Sequence, residues 1–529
     1  MKIATPPLPR AEIYHEYLLA QHYLRVNQIE EATEAYLKAL KKDPDSPILL
    51  TELASLYVRQ GRIEEALKLV ERATRINPSY ETAYMLMGQL YAELGQNNKA
   101  IESYKRALQL DPSNESVYLL LGTLYAQAGR FTEAIEMFDH LRDLLPDNPV
   151  ALYYKGRVFL DMKFYDQAEA IYQEALDLDP AFENALLDLA YIYEVTDRTA
   201  DAEEAYQEII SFNPTSVQAH SRLGNLYMRE GRLDDALAQF SQLVRVNRKD
   251  LESRLKIGII HYQQKKYDDA IKDFTHLLSE QPQYDQALYY LASTYEERGE
   301  TKQAILNLRL IPRNSPLWNT AQIRLALVFT KMKDYGSGIE VLESAIEKQP
   351  DVPDYYLYLA ILYEEQKEYE KAMKAVDAGL EKTSRDVDLL FRKGIILDKM
   401  DRKKDAIKQM EEVLRIEPQN ANALNYIGYT YAEMGVNLPK AKQLIEQALK
   451  VEPDDGFILD SLAWVYFKMR QPKKALEIML NAVNLVPQDP VIQEHLGDIY
   501  LELGNNTEAI EAYKRAIRYE HHEPEKIRQ

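Results

Sequence analysis

Few residues of this chain are spaced for chemistry. His15, Glu16 and His22 place two imidazoles seven residues apart on one helical stretch, which reads as a solvated helix face rather than a metal site. His521 and His522 sit together in a polar tail, where adventitious metal affinity is the most they would supply. No HExxH, GxxxxGK[ST] or GxGxxG pattern is present, so the sequence signatures of a zinc peptidase, a phosphate loop and a dinucleotide fold are missing. No GxSxG nucleophile elbow occurs either. The chain has no cysteine, which removes disulfides, thiolate metal sites and a cysteine nucleophile. Its 84 acidic residues are spread so evenly that no pair stands out as an acid/base couple. The expectation is a protein that is not an enzyme and carries no cofactor or metal.

The charge balance narrows the partners. The net charge of −20 lacks the basic face needed to displace counterions from nucleic acid. It also disfavours docking on an anionic membrane, and solubility is the plainest account of it. No apolar stretch approaches the roughly 18 residues that span a bilayer. The first residues, MKIATPPLPR, lack the apolar core of an intact secretion signal. They fit the start of a cytoplasmic protein, or a chain trimmed after a signal or lipidated cysteine.

What could hold functional residues in place emerges from the chain's periodicity. Ala32, Ala66, Ala100, Ala134, Ala168, Ala202, Ala236, Ala270 and Ala304 recur at one fixed interval, and Gly338, Ala372 and Ala406 continue the series. A proline series runs at the same interval from Pro44, Pro78 and Pro112 to Pro350, and within that span it is broken once, at Arg248. Small residues such as Ala54, Gly88 and Gly122 repeat at the same interval, with aromatics such as Tyr57, Tyr91 and Tyr125 three positions later. Each period carries two apolar patterns of helical spacing, joined by a short and often Gly-containing turn and closed by Asp-Pro or Asn-Pro. One such hairpin cannot bury its apolar face, whereas a stack of them shares a continuous core.

Tyr84, Met87, Gly88, Tyr91, Ala100, Tyr104, Ala107 and Pro112 fill, in order, the pattern of the tetratricopeptide repeat, which this chain therefore resembles over nearly its whole length. The resemblance implies an all-α, right-handed superhelical solenoid of some fifteen helix-turn-helix units, each of about 34 residues. Residues 1–12 read as a Pro-containing leader, 13–318 as units one to nine, 319–523 as units ten to fifteen, and 524–529 as a polar tail. Pro312 should shorten or kink the second helix of unit nine. Gly336-Ser337-Gly338 stands where unit ten should start a helix. A joint in the solenoid is therefore expected near 312–338, as the hinge of any change in pitch. Unit thirteen carries one extra residue in its turn.

In this family the first helices line a concave groove that binds partner segments, and the resemblance assigns the inner stripe residue by residue. From unit eight onward that stripe becomes apolar: Leu255, Ile259, Tyr262, Tyr289, Ile323, Leu327, Leu357, Ile361, Phe391, Ile395, Tyr429, Trp464 and Phe467. Glu296, Asp354, Glu364, Asp388, Asp398 and Asp460 form an expected acidic rim. Trp464 and Phe467 stand out as interface anchors. The basic clamp that some members use to grip a C-terminal carboxylate is not matched, since only Asn225 fits it.

The last three units resemble, more narrowly, bacterial repeat lipoproteins tethered to the outer membrane, through Asn425 to Ala432, Asp454-Asp455, Ile458 to Ser461, Trp464 and His495 to Asp498. That resemblance implies a periplasmic adaptor bringing cell-wall hydrolases to a carboxyl-terminal processing protease. Scaffolding of exopolysaccharide export is the alternative within the same group, and a self-associating structural array is the alternative of another class. The lipidated cysteine such proteins carry is not in this sequence.

Overall fold

The computed structural model describes residues 9–519, and the described residues form thirty helices and no strand, arranged as fifteen hairpins in the expected register. The tail residues His521 and His522 lie outside the described residues. The first helix is described over Pro9–Arg25, so it takes in residues 9–12 that the repeat pattern gave to a leader. The chain divides into two compact halves, residues 1–260 and 261–529.

Unit four illustrates how the sequence makes one hairpin. Asn114 caps the first helix, Glu115–Gln127, by accepting the Val117 N–H at 3.3 Å. Gly129 then turns the chain at φ +71°, in the left-handed region, and the second helix runs Phe131–Leu144. Not every turn uses glycine there: Lys163 and Lys333 adopt the same conformation at φ +60°. The second helix of unit three ends extended: Asp111, ahead of Pro112, lies at φ −134° and ψ 91°.

The hairpin closes on one contact. The repeated small residue of the first helix meets the ring of the second. A Cβ on Gly88 would stand 2.6 Å from the Tyr104 ring, and one on Gly122 would stand 2.6 Å from the Phe138 ring. The alanine series is likewise packed, with Ala32, Ala66, Ala100 and Ala134 wholly buried.

In the C-terminal half the departures behave locally. The second helix of unit nine spans only Thr301–Leu310 and stops before Pro312, with Ile311 extended at φ −65° and ψ 120°. A continuous buried core nevertheless runs from Leu288 to Ile396, through Trp318. The Gly-Ser-Gly stretch does not displace a helix start: unit ten's second helix begins in register at Tyr335, because the Asp334 side chain accepts the Ser337 N–H at 3.2 Å. The extra residue of unit thirteen is absorbed by two left-handed residues, Gly435 and Asn437.

Because the ring has no room to retreat, Gly122→Ala should destabilise the protein by about 1–3 kcal/mol, the usual cost of overpacking a core. Thermal unfolding followed by circular dichroism checks this. An unchanged midpoint would mean that the close approach does not constrain the hairpin.

Candidate functional site

Successive first helices of the C-terminal half touch one another: Trp318–Lys331 with Pro353–Glu365, Pro353–Glu365 with Val387–Lys399, Ala421–Glu433 with Gly456–Lys468, and Gly456–Lys468 with Pro490–Glu502. Successive second helices make no contact of comparable extent. First helices therefore form the inner side of this array, and their inner stripe is the candidate site.

The middle of the stripe is apolar and accessible. Ile323, Leu357, Ile361, Phe391 and Ile395 are half-buried, and Leu327 is 37 % exposed. Tyr262 and Tyr289 are half-buried on the same side. Leu255 and Ile259 belong to the N-terminal half; Leu255 is buried core and Ile259 is half-buried.

The acids divide into two kinds. Glu296 is clamped between units nine and ten: Arg324 Nε donates to its Oε2 at 3.0 Å, and Lys331 pairs with its Oε1. Arg324 also donates from Nη1 to the Tyr289 hydroxyl at 3.1 Å. Burial opposes the charge on Glu296, but Lys331 and Arg324 outweigh it and hold the carboxyl below its usual range. Two units on, the ion pairs recur without the hydrogen bonds: Glu364 faces Arg392 at 3.6 Å and Lys399 at 3.1 Å and is itself buried, but neither of its oxygens accepts a hydrogen bond. Glu296 and Glu364 are therefore internal counter-ions rather than members of a free acidic rim.

Asp398 occupies the next equivalent position but meets different neighbours. Tyr426 and Glu433 replace the arginine and lysine of the clamp, and burial with the charge of Asp398 pushes the Tyr426 hydroxyl up. Glu433 is taken by Lys403 at 2.5 Å. Asp354 and Asp388 are exposed; partial burial, then Asp386 and Asp388, raise the Asp354 carboxyl. Asp354, Asp388 and Asp398 remain as the acidic edge.

At the far end the expected anchors are packed away. Trp464 is only 8 % exposed, stacked on His495 at 4.0 Å and on Phe467 at 4.9 Å, with Lys468 Nζ 4.6 Å from its ring. Asp460, expected on the rim, is buried and bonded to His495 Nδ1 at 2.8 Å. Trp464 and Asp460 thus correct the inner-face assignment: both serve a buried aromatic–ion stack, while Phe467 and Tyr429 stay half-buried beside it. Burial, and then Glu433, Asp460, Glu494 and Asp398, push the Tyr429 hydroxyl up. Burial would lower the His495 value, but Asp460 prevails and raises it.

Sequence reasoning passed over Arg324, Lys331, Arg392, Lys399 and Tyr426, and took His495 only as part of a resemblance, with no partner assigned to it. The repeated Glu–Arg–Lys spacing, 296/324/331 and 364/392/399, was the available signal for four of them. His15 and His22 are both exposed, and no group of three potential metal-ligating side chains occurs among the described residues. No helix among the described residues is long and apolar enough to cross a membrane.

Family models described as tetratricopeptide repeat match residues 17–81, 153–217, 221–283 and 461–521, then 261–324 and 329–390, then 387–420. A model described as TPR repeat matches 88–129, and one described as PPR repeat matches 116–144. The chain belongs to the tetratricopeptide-repeat family, a fold that generally mediates protein–protein interaction and is generally non-catalytic. A curated relative, the TPR repeat-containing protein PA4667 of Pseudomonas aeruginosa, is 43 % identical over 70 residues, which is 12 % of this chain and 12 % of the relative. Among solved structures, Naa15/Naa10 bound to HypK-THB is 14 % identical with a TM-score of 0.38, over 98 % of this chain and 96 % of that one. A tetratricopeptide repeat protein from Parabacteroides merdae is 18 % identical with a TM-score of 0.38, over 47 % of this chain and 99 % of that one.

The His495–Asp460 pair makes a pH-dependent prediction. An imidazole whose folded value is raised contributes stability that is complete below its unfolded value near 6.5, and that is lost as pH rises through the folded value. His495→Gln leaves a buried carboxylate without its charged partner, at about 3–5 kcal/mol. The gap in thermal midpoint between wild type and variant should be widest below neutrality and shrink in alkali. A gap independent of pH would refute the charged pair.

Proposed function

We propose that the chain is a non-catalytic adaptor that holds an apolar segment of a partner protein along the inner face of units ten to twelve. The observation carrying this reading is the accessible row Leu327, Leu357, Ile361, Phe391 and Ile395, edged by Asp354, Asp388 and Asp398, which no clamp neutralises. The acids favour a partner segment with lysine or arginine beside its apolar side chains.

The finer reading rests on the resemblance of the last three units to outer-membrane repeat lipoproteins. It casts the protein as a periplasmic adaptor that brings cell-wall hydrolases to a carboxyl-terminal processing protease, anchored by a lipid outside this sequence. The apolar row supplies shape and contact area, and the acidic edge selects among partners.

The test is affinity capture from the cell envelope with wild type and with Ile361→Asp/Ile395→Asp. Both positions are half-buried, so circular dichroism first confirms that the variant folds. Losing two apolar contacts of about 1–2 kcal/mol each should reduce retention of a protease or cell-wall hydrolase more than tenfold. Undiminished retention by the folded variant places recognition on another surface; retention of neither class of enzyme by wild type rejects the adaptor role while leaving the apolar row open to other partners.

A further inference from the structure

The repeat makes each unit a control for its neighbours, and unit three departs from them in charge. Lys99 stands one repeat after Glu65 and one before Glu133, and Lys105 stands one repeat after Glu71 and one before Asp139. In the flanking units those acids are occupied: Arg62 pairs with Glu65, Arg130 with Glu133, Lys155 with Asp139, and Glu71 accepts the Tyr91 hydroxyl. Unit three thus inverts two charges in a chain whose net charge is −20.

The inversion borders a cavity of about 780 Å³ on the hairpin of Glu81–Glu93 and Asn97–Leu110, with Arg130 of the next turn at its edge. Lys99, Lys105, Arg106 and Arg130 line it against a single carboxylate, Glu102. Arg130 has Glu133 as counter-ion, whereas Lys99, Lys105 and Arg106 form no ion pair among the described residues. Tyrosine rings hold the cations instead. Lys99 Nζ lies 5.1 Å from the Tyr91 ring centre and Lys105 Nζ 5.8 Å from that of Tyr125, while the guanidinium of Arg106 lies 5.9 Å from that of Tyr84. Arg106 is further steadied by donating to Gln109 at 2.9 Å and to the Pro78 carbonyl at 3.4 Å.

A ring face positions a cation without cancelling its charge. At Lys99, Lys105 and Arg106 an incoming anion therefore has no ion pair to break and few rotamers to fix, which are the two costs that usually leave surface ion pairs with little net energy. We propose that this cavity is a second recognition site, independent of the inner face of the C-terminal half, that binds a peptide bearing a compact, multiply charged anion. Clustered carboxylates and a phosphoryl group share that chemistry.

Fluorescence anisotropy on the full chain tests it, using labelled Gly/Ser peptides that carry four consecutive glutamates, four glutamines, or one phosphoserine. At least one anionic peptide should bind, the glutamine peptide should not, and added salt should weaken the binding. Lys99→Glu/Lys105→Glu, which restores the charges of the flanking units, should lower affinity at least tenfold. Lys450→Glu/Lys473→Glu, an equal charge change on exposed lysines of the C-terminal half, should leave it within about twofold, and circular dichroism shows that both variants fold. Tighter binding of the phosphoserine peptide identifies a phosphoryl source, and tighter binding of the glutamate peptide an acidic run. Equal binding by the glutamine peptide, equal loss in the two variants, or no anionic binding up to about 1 mM overturns the proposal.

Discussion

The distance between the two helices of a unit is set where a side chain is missing. Gly88 and Gly122 leave space that the Tyr104 and Phe138 rings fill completely, so the helices can approach only to the thickness of an aromatic ring. Packing at crystal-like density has little tolerance for altered volume. This one separation propagates: it fixes the angle at which each hairpin presents its first helix to the next, and hence which residues of that helix face inward. Elsewhere alanines do the same work from the opposite helix, each wholly buried.

Given that scaffold, electrostatics decides which part of the inner face can receive a partner. Glu296 and Glu364 are each held by an arginine and a lysine from the following unit, so their charge is spent inside the protein. Where Tyr426 and Glu433 replace those cations, no arginine–lysine clamp forms on Asp398, which stands at the end of an apolar row. Beyond it the face closes over Trp464, whose ring is sandwiched by His495 and Phe467. The accessible stretch thus starts at the ion clamp on Glu296, carries a second clamp at Glu364 within it, and ends at an aromatic stack.

Much of this was legible in the sequence because repetition turns a weak local signal into a register. The small residues, the ring three positions on and the closing prolines placed all the described hairpins, and Pro312 marked the one short helix. The inner stripe was readable as a set of positions, but the fate of each side chain was not. Trp464 and Phe467 are three residues apart on one helix, yet only the tryptophan is buried, because His495 reaches it from the first helix of the following unit. The burial of Asp460 follows from the same histidine. Such contacts depend on the identity of a residue in the adjoining unit, which a positional rule cannot see. The Gly-Ser-Gly stretch misled for a related reason: composition argued against a helix start, and a single cap from Asp334 restored it.

The clamps also divide the C-terminal half unevenly. Each joins two consecutive units, nine with ten and eleven with twelve, and Thr330 stands at the equivalent place between ten and eleven, where no such clamp forms. Under tension along the stack, the ion-stitched pairs and the unstitched seam between them would not share strain equally. The array is in this sense a chain of stiff links with a compliant junction, and its elasticity is written in charge rather than in its turns.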